Sequence, residues 1–178
     1  MMADETMRSL ESFGPGTLLW TQPKGSRRHF ELRAGDDLFA TLAWERWYSD
    51  RALGRAAGRE WAFNRKGVWN RRGLAEEVST GALVAEAPYT WRGPAAIVFH
   101  DERRYELRPA NTWRTKWELL DPNEFPVFHF HMRNKLLKYE TEVALTPDAT
   151  YARDLPLLLL FCWYLVYLTN QDAAAAAS

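Results

Sequence analysis

One feature of the sequence constrains the fold more than any other, namely an uncharged apolar stretch from Leu155 to Leu168. Asp154 precedes it as a candidate N-cap, and Pro156 stands in what would be the first helical turn, where proline is accepted. The stretch therefore predicts a helix over about residues 154–169. Because apolar residues surround this helix on every side, it must be enclosed by protein or by lipid.

The length of the apolar stretch favours enclosure by protein. Its fourteen residues rise about 21 Å as a helix, which is short of the ~30 Å hydrocarbon core of a bilayer. We therefore expect a helix inside the protein, and a single-span membrane anchor is the alternative hypothesis. The positions expected to be buried are Leu155, Leu158, Leu159, Cys162, Leu165 and Val166.

Short segments that alternate between apolar and polar residues precede this helix, and they predict β-strands. Turn residues separate them, as in the Gly35-Asp36-Asp37 hairpin turn. Their spacing of roughly ten residues is typical of a sandwich or barrel, and the lack of helical segments between them excludes a parallel α/β fold. The predicted strands are 29–33, 38–44, 81–86, 95–100, 104–108, 113–119, 127–133 and 137–145, with fragments at 61–63 and 67–69 around a turn at 64–66.

The chain divides into three parts on this interpretation. Residues 1–13 are predicted to be a flexible leader, residues 14–170 a single domain, and residues 171–178 a disordered, alanine-rich tail. The N-terminus has no apolar segment typical of a secretory signal, which predicts a cytoplasmic protein. Cys162 is the single cysteine, so the chain has no internal disulfide framework, and we expect its thiol to pack in the core.

The order of these segments resembles the tubby C-terminal-like superfamily, which includes the LURP-one-related proteins and the phospholipid scramblases. The resemblance covers about residues 17–170. The segments that carry it are Phe30–Leu42, Gly81–Ala85, Arg104–Leu107, Trp113–Trp117 and Leu155–Leu165.

The resemblance implies a mainly β fold, a closed antiparallel barrel of about twelve strands with the C-terminal helix threaded through it. Tubby itself recognises phosphoinositide head groups with basic residues on its barrel, but no matching motif stands in this chain. The calcium and palmitoylation signals of scramblases are also missing, since the sequence has neither a cysteine cluster nor an acidic loop with calcium-ligand spacing.

Basic residues in turns are the candidates for binding an anion. The chain carries 23 Lys and Arg against 23 Asp and Glu, and this balance argues against a nucleic-acid partner, which requires a positive excess. If the turns at one end of a barrel cluster, their cations would bind phosphate or an anionic membrane surface. The alternative is that they are solvated turn charges that discourage aggregation. The candidates are Lys24, Arg27, Arg28, Arg133, Lys135 and Lys138.

Two further groups of residues are candidate sites. His129 and His131 share one face of a strand and would hold a metal if His100, Glu140 or Glu142 supplied a third ligand. The alternative places both histidines on a solvated face. The second group would line a ligand platform, with its aromatic rings packing into the core as the alternative. It comprises Trp44, Trp47, Tyr48 and Trp61.

The sequence contains no G-x-S-x-G, H-E-x-x-H, C-x-x-C or glycine-rich phosphate loop, so it predicts a protein that is not an enzyme and needs no cofactor. The leading hypothesis is an intracellular domain that binds anionic phospholipid or phosphoinositide at the membrane periphery. A protein-interaction adaptor or scaffold is the first alternative. A barrel that binds a small apolar ligand and a histidine-based metal site are the others.

Overall fold

A computed structural model describes residues 6–13, 16–23, 28–90, 93–94, 96–135, 138–149 and 152–177. A 3₁₀ turn at Leu10–Ser12 comes first. The elements that follow are β1 Thr17–Thr21, β2 His29–Ala34, β3 Asp37–Trp44, β4 Ala52–Ala56, β5 Arg59–Lys66, β6 Arg72–Glu77, β7 Ala82–Thr90, β8 Gly93–Pro94, β9 Ile97–Phe99, β10 Arg104–Pro109, β11 Lys116–Leu120, β12 Pro126–Lys135, β13 Lys138–Leu145 and α1 Leu155–Ala176.

Twelve of these strands form a closed ring in which every neighbouring pair is antiparallel. The order around the ring is β6-β5-β4-β3-β2-β1-β13-β12-β11-β10-β9-β7, and pairing of β6 with β7 closes it. β8 pairs with the end of β7 outside this ring. Closure gives each ring strand a partner on both sides, which satisfies its backbone groups. The predicted fold class, a closed antiparallel barrel with one C-terminal helix, is confirmed.

The connections between strands fall alternately at two ends of the barrel, because neighbouring strands run in opposite directions. We call one end the upper end. The described parts of its connections are residues 22–23 and Arg28 between β1 and β2, 45–51 between β3 and β4, 67–71 between β5 and β6, and 110–115 between β10 and β11. The lower end carries connections 35–36, 57–58, 78–81, 100–103 and 121–125, and the chain leading into α1. α1 therefore begins at the lower end and finishes at the upper one.

The lumen of the barrel is filled by α1. Its residues from Leu157 to Thr169 are all buried, as a helix that is apolar all round requires. On one side, the ring of Trp163 stacks on Trp20 of β1 at 6.1 Å between centroids. On another side, Phe161 stacks on Phe63 of β5 at 5.5 Å. Because both rings of each pair are fully buried, these contacts contribute area burial and aromatic packing together.

The six helix positions predicted to be buried all lie in this lumen. Their exposed fractions are 3% for Leu155 and 0% for Leu158, Leu159, Cys162, Leu165 and Val166. Among the described residues, no helix is long and apolar enough to cross a membrane.

Both ends of the described chain differ from the prediction. α1 continues to Ala176, past the predicted end near residue 169, because the alanine-rich segment that follows has high helix propensity. Within the predicted leader, Leu10 is buried and Phe13 packs edge-on against Phe39 at 5.3 Å. Apolar side chains thus attach residues 10–13 to the outside of β3.

Two predicted local structures were wrong. β5 runs unbroken to Lys66, so residues 64–66 are strand, and the following residues 67–69 lie in a bend of the connection. β11 begins only at Lys116, so Trp113 lies in a connection instead of on the buried face. The cause is Asn111, whose Oδ1 accepts hydrogen bonds from the backbone N–H groups of Thr115 and Lys116. The Asn111 side chain thus takes backbone N–H groups that would otherwise pair with a neighbouring strand, and it holds the turn.

Two glycines on the inner face let α1 approach the sheet closely. A Cβ added at Gly54 of β4 would lie 2.6 Å from Cε2 of Phe63 on β5 and 3.2 Å from both Cδ atoms of Leu160. One added at Gly73 of β6 would lie 2.6 Å from Cδ2 of Leu165, which is shorter than carbon atoms tolerate. Glycine at position 73 therefore sets how near the helix lies to β6.

Replacing Gly73 with alanine is expected to lower the free energy of unfolding by about 1–3 kcal/mol, because the new methyl group overlaps Leu165 in a filled core. Urea denaturation of the variant measures the change. In a Leu165→Ala background the methyl group enters the space left by leucine, so the same substitution should cost much less. An equal cost in both backgrounds would refute this packing argument.

Candidate functional site

Charge is distributed unequally between the two ends of the barrel. In or directly beside the described upper connections, basic residues outnumber acidic ones, whereas the reverse holds at the lower end. The upper residues are Arg28, Arg46, Arg51, Lys66, Arg71, Arg72, Arg114 and Lys116 against Glu45 and Asp50. The lower residues are Arg59, Arg103, Arg104 and Arg153 against Asp36, Asp37, Glu77, Asp101, Glu102, Asp121, Glu124, Asp148 and Asp154.

Some of the upper cations hold the end of the helix in place. Arg65, the penultimate residue of β5, has a side chain only 14% exposed and contacts Asp172 of α1 at 2.6 Å and Asp50 at 2.9 Å. Burial alone would lower the pKa of Arg65, but the two carboxylates outweigh it and raise that pKa. Arg71 adds a longer contact to Asp172 at 3.4 Å.

The same cluster contains two tyrosines. The Tyr164 hydroxyl donates to the backbone oxygen of Asp50 at 2.7 Å, and the Arg65 guanidinium lies over the Tyr89 ring at 5.3 Å. Burial raises the pKa of Tyr89 to about 12 against the smaller, opposite effect of Arg65. The cluster thus ties α1, β5, β7 and the connection after β3 together at the upper end.

Arg28 is one of the six predicted anion-binding residues, and its charge is directed into the protein. Nη1 donates to the backbone oxygens of Trp47 at 3.2 Å and Ser49 at 3.0 Å, and Nη2 donates to Oε1 of Gln171. The guanidinium also lies 5.5 Å from the centre of the Trp44 ring. Arg28 therefore braces the connection after β3 against the end of α1.

The other predicted anion-binding residues divide into three groups. The Arg133 side chain contacts Glu142 of β13 at 2.6 Å and is half exposed. The backbones of Lys135 and Lys138 are register partners at the upper end of the β12–β13 pair, but their side chains fall outside the described part of the structure. Lys24 and Arg27 lie wholly outside the described residues.

Lys66 and Lys116 are the cations that sequence reasoning missed. Both are exposed and stand at the upper ends of β5 and β11. Within the described residues neither has an ion-pair partner. Lys66 stands in the turn predicted at 64–66 but is not among the six predicted anion-binding residues, and Lys116 falls inside the predicted strand 113–119.

Exposed aromatic side chains share the upper connections with these cations. Trp69 is 99% exposed, Trp113 85%, Trp47 84% and Tyr48 63%, and Val68 beside Trp69 is 81% exposed. By contrast, Trp44 and Trp61 of the predicted aromatic platform are buried in the barrel. The structure therefore separates the four platform residues. An aromatic residue flanked by glycine, asparagine or arginine was the available sequence signal for an exposed turn.

The two candidate metal-binding histidines stand on the outer face of β12. His129 Nδ1 lies 3.8 Å from Glu118, and His131 Nδ1 lies 3.7 Å from Glu142, with each imidazole side chain nearly half exposed. Each histidine thus faces a different carboxylate. No cluster of three or more metal-ligating side chains occurs among the described residues.

Comparison with known proteins identifies a likeness of fold. No family model matches the chain, and no curated protein matches it significantly. The X-ray structure of a protein from Arabidopsis thaliana matches with a TM-score of 0.55 and 11% sequence identity, covering 88% of this chain and 96% of that one. At this identity the likeness shows that the fold is a known one.

Replacing Asp172 with asparagine is expected to lower the free energy of unfolding by about 1–2 kcal/mol, since it leaves the half-buried Arg65 with one carboxylate instead of two. Thermal and urea denaturation measure the loss. Glu106→Gln is the matched control, because Glu106 and Arg108 form a half-exposed contact at 3.9 Å that should contribute almost nothing. Equal effects of the two variants would contradict the prediction.

The stability of the protein is expected to fall at alkaline pH through Tyr89. Its folded pKa of about 12 exceeds the unfolded value near 10, so the folded state binds the phenolic proton more tightly. The contribution is complete below about pH 10 and is lost progressively up to about pH 12, amounting to roughly 2–3 kcal/mol. Urea midpoints measured between pH 8 and 11.5 should fall less steeply for Tyr89→Phe. Parallel curves would show that Tyr89 is not responsible.

Proposed function

We propose that this protein binds the surface of an anionic phospholipid membrane through the upper end of its barrel. The observation that carries the proposal is the charge asymmetry, with cations in excess at the upper end and carboxylates in excess at the lower. A net-neutral protein with this distribution is attracted to an anionic surface in one orientation and repelled in the other.

Among the upper cations, the exposed lysines are the ones most available to lipid phosphates. Lys66 and Lys116 lie in different parts of the ring, beside connections 67–71 and 110–115. Each basic residue near an anionic surface contributes about 1 kcal/mol. The predicted residues Lys24, Arg27, Lys135 and Lys138 would add to this attraction, whereas Arg28 acts through its internal contacts.

The family resemblance supports the same proposal. If the chain is a member of the tubby C-terminal-like superfamily, basic residues on its barrel would bind phosphoinositide head groups in particular. Such a protein would act at the cytoplasmic face of a membrane. The helix fills the lumen in which a small apolar ligand would have to bind, so that function is not proposed.

A protein-interaction role is the second candidate, and a groove at the lower end favours it. The groove has a volume of about 530 Å³ and is lined by Tyr105, Phe125, Val127 and three prolines, with Asp121 and Asp148 among its polar residues. Phe125 is 67% exposed. An adaptor would use this groove, and it would not require vesicle binding.

Reversing the charge of Lys66 or Lys116 to glutamate changes the local charge by two units and is expected to weaken binding to phosphatidylserine vesicles about thirtyfold each, with a larger loss in the double variant. Co-sedimentation at low salt measures the affinity. Arg104→Glu is the matched control, since Arg104 is exposed at the lower end, and it should change binding less than twofold.

Comparison of neutral, phosphatidylserine and phosphoinositide vesicles at low and high salt completes this test. Binding only to anionic vesicles, weakened at high salt, is the expected result. Equal effects of Lys66→Glu and Arg104→Glu would overturn the assignment to the upper end. Absence of binding to every vesicle would overturn the membrane proposal and favour the adaptor.

A further inference from the structure

Three tryptophans at the upper end are almost fully exposed in a protein that buries most of its others. Trp47, Trp69 and Trp113 each expose at least 84% of their area, whereas Trp20, Trp44, Trp61, Trp117 and Trp163 are buried. Indole rings are large and apolar, so their exposure in water is unfavourable. All three exposed rings lie at the same end, which distinguishes them from the scattered apolar residues of an ordinary surface.

Local hydrogen bonds hold two of the three connections that carry these rings. Arg46 donates to the hydroxyl of Tyr48 at 2.8 Å, and the Trp47 and Tyr48 rings pack edge-on at 5.5 Å. Asn111 holds the turn that contains Trp113, with its Nδ2 donating to Thr115 Oγ1 at 2.8 Å. Ordered turns therefore present Trp47 and Trp113 to solvent, so little further ordering is needed for these rings to bind a partner.

The position of the rings around the barrel indicates the shape of that partner. Connection 45–51 joins β3 to β4, connection 67–71 joins β5 to β6, and connection 110–115 joins β10 to β11 across the ring. A partner that contacts all three must extend over the whole end of the barrel. A bilayer surface meets this requirement without any matched shape.

The chemistry of the upper end matches the interfacial region of a membrane. Tryptophan and tyrosine prefer the boundary between hydrocarbon and head groups, and arginine and lysine beside them reach the phosphates. Here Lys66 and Arg71 flank Trp69, and Arg114 and Lys116 follow Trp113. The cations would thus contact the phosphates of the bilayer, and the rings would contact the adjacent boundary between head groups and hydrocarbon.

We propose that an aromatic rim, formed by Trp47, Tyr48, Val68, Trp69 and Trp113, inserts into the interface of an anionic bilayer. The barrel axis then lies along the membrane normal, and the acidic lower end faces away from the lipid. This inference rests on the proposed membrane binding and identifies its partner as an assembled bilayer, as opposed to a soluble head group. Insertion adds an apolar contribution that salt does not screen.

Single-cysteine labelling tests the insertion directly. The native Cys162 is fully buried, so an environment-sensitive fluorophore such as NBD can be attached selectively to Trp69→Cys or Trp113→Cys in the folded protein. Val78→Cys provides the control, because Val78 lies in a lower connection and is 45% exposed. Each labelled protein is mixed with vesicles of phosphatidylcholine and phosphatidylserine, and co-sedimentation of the same samples measures binding.

The expected result is a blue shift and a several-fold gain in emission at positions 69 and 113, with neither at position 78. Binding by co-sedimentation without any change at 69 and 113 would overturn the insertion and leave the proposed function standing. A change at position 78 alone would overturn the orientation. Absence of binding would overturn both proposals.

Alanine variants of the rim give a second, label-free measurement. Trp69→Ala and Trp113→Ala are each expected to weaken vesicle binding about tenfold at low salt, and to remove most of the binding that persists at high salt. Because both rings are exposed, the thermal stability of the variants should equal that of the parent protein. Unchanged vesicle affinity would overturn the insertion.

Discussion

The burial of one helix that is apolar on every side determines the rest of this structure. Such a helix has no face to present to water, so a single sheet or a helix pair would leave part of it exposed. A closed ring of strands covers it completely. The ring supplies inward-facing aromatic and aliphatic side chains, and two inner glycines, Gly54 and Gly73, leave room where the helix lies nearest.

Filling the lumen also determines where function can reside. The inner faces of the strands are occupied by α1, so the remaining surfaces are the outer face and the two ends. At the upper end, part of the basic charge holds the helix through Arg65 and Asp172, and part lies exposed at Lys66 and Lys116. Cations that hold the helix and cations that are exposed on the surface therefore lie side by side. Residue type does not tell the two kinds apart, but their contacts do.

Sequence patterns predicted the elements that depend on periodicity. The apolar run predicted α1 because a charge-free stretch of that length has few alternatives, and alternation predicted strands such as β13, whose Thr141, Val143 and Leu145 face inward. Trp113 was misplaced because it continues the alternation of β11 by chance. The hydrogen bonds that Asn111 accepts from Thr115 and Lys116 make the strand begin only at Lys116, after Trp113. Side-chain hydrogen bonding to the backbone overrides period-two patterns at such points.

The candidate site was harder to predict for a different reason. Arg28 and Gln171 are 143 positions apart, so no local pattern shows that this arginine is engaged. Trp44 and Trp47 likewise have the same aromatic character, yet Trp44 is buried in the barrel and Trp47 lies exposed in the connection three residues later. What separates them is the end of β3 at Trp44, the residue at which the predicted strand 38–44 also ends, so the two rings were grouped together although the strand boundary was predicted correctly.

The pairing of β1 with β13 has a consequence for the synthesis of this protein. The first strand can complete the ring only after the last strand has been made, and the helix that fills the lumen follows still later along the chain. During translation the inward-facing residues of earlier strands therefore lack their partner, and the nascent chain exposes apolar surface until α1 emerges. The barrel should therefore close only after α1 has emerged and should fold slowly, and shielding by a chaperone would matter most in that interval.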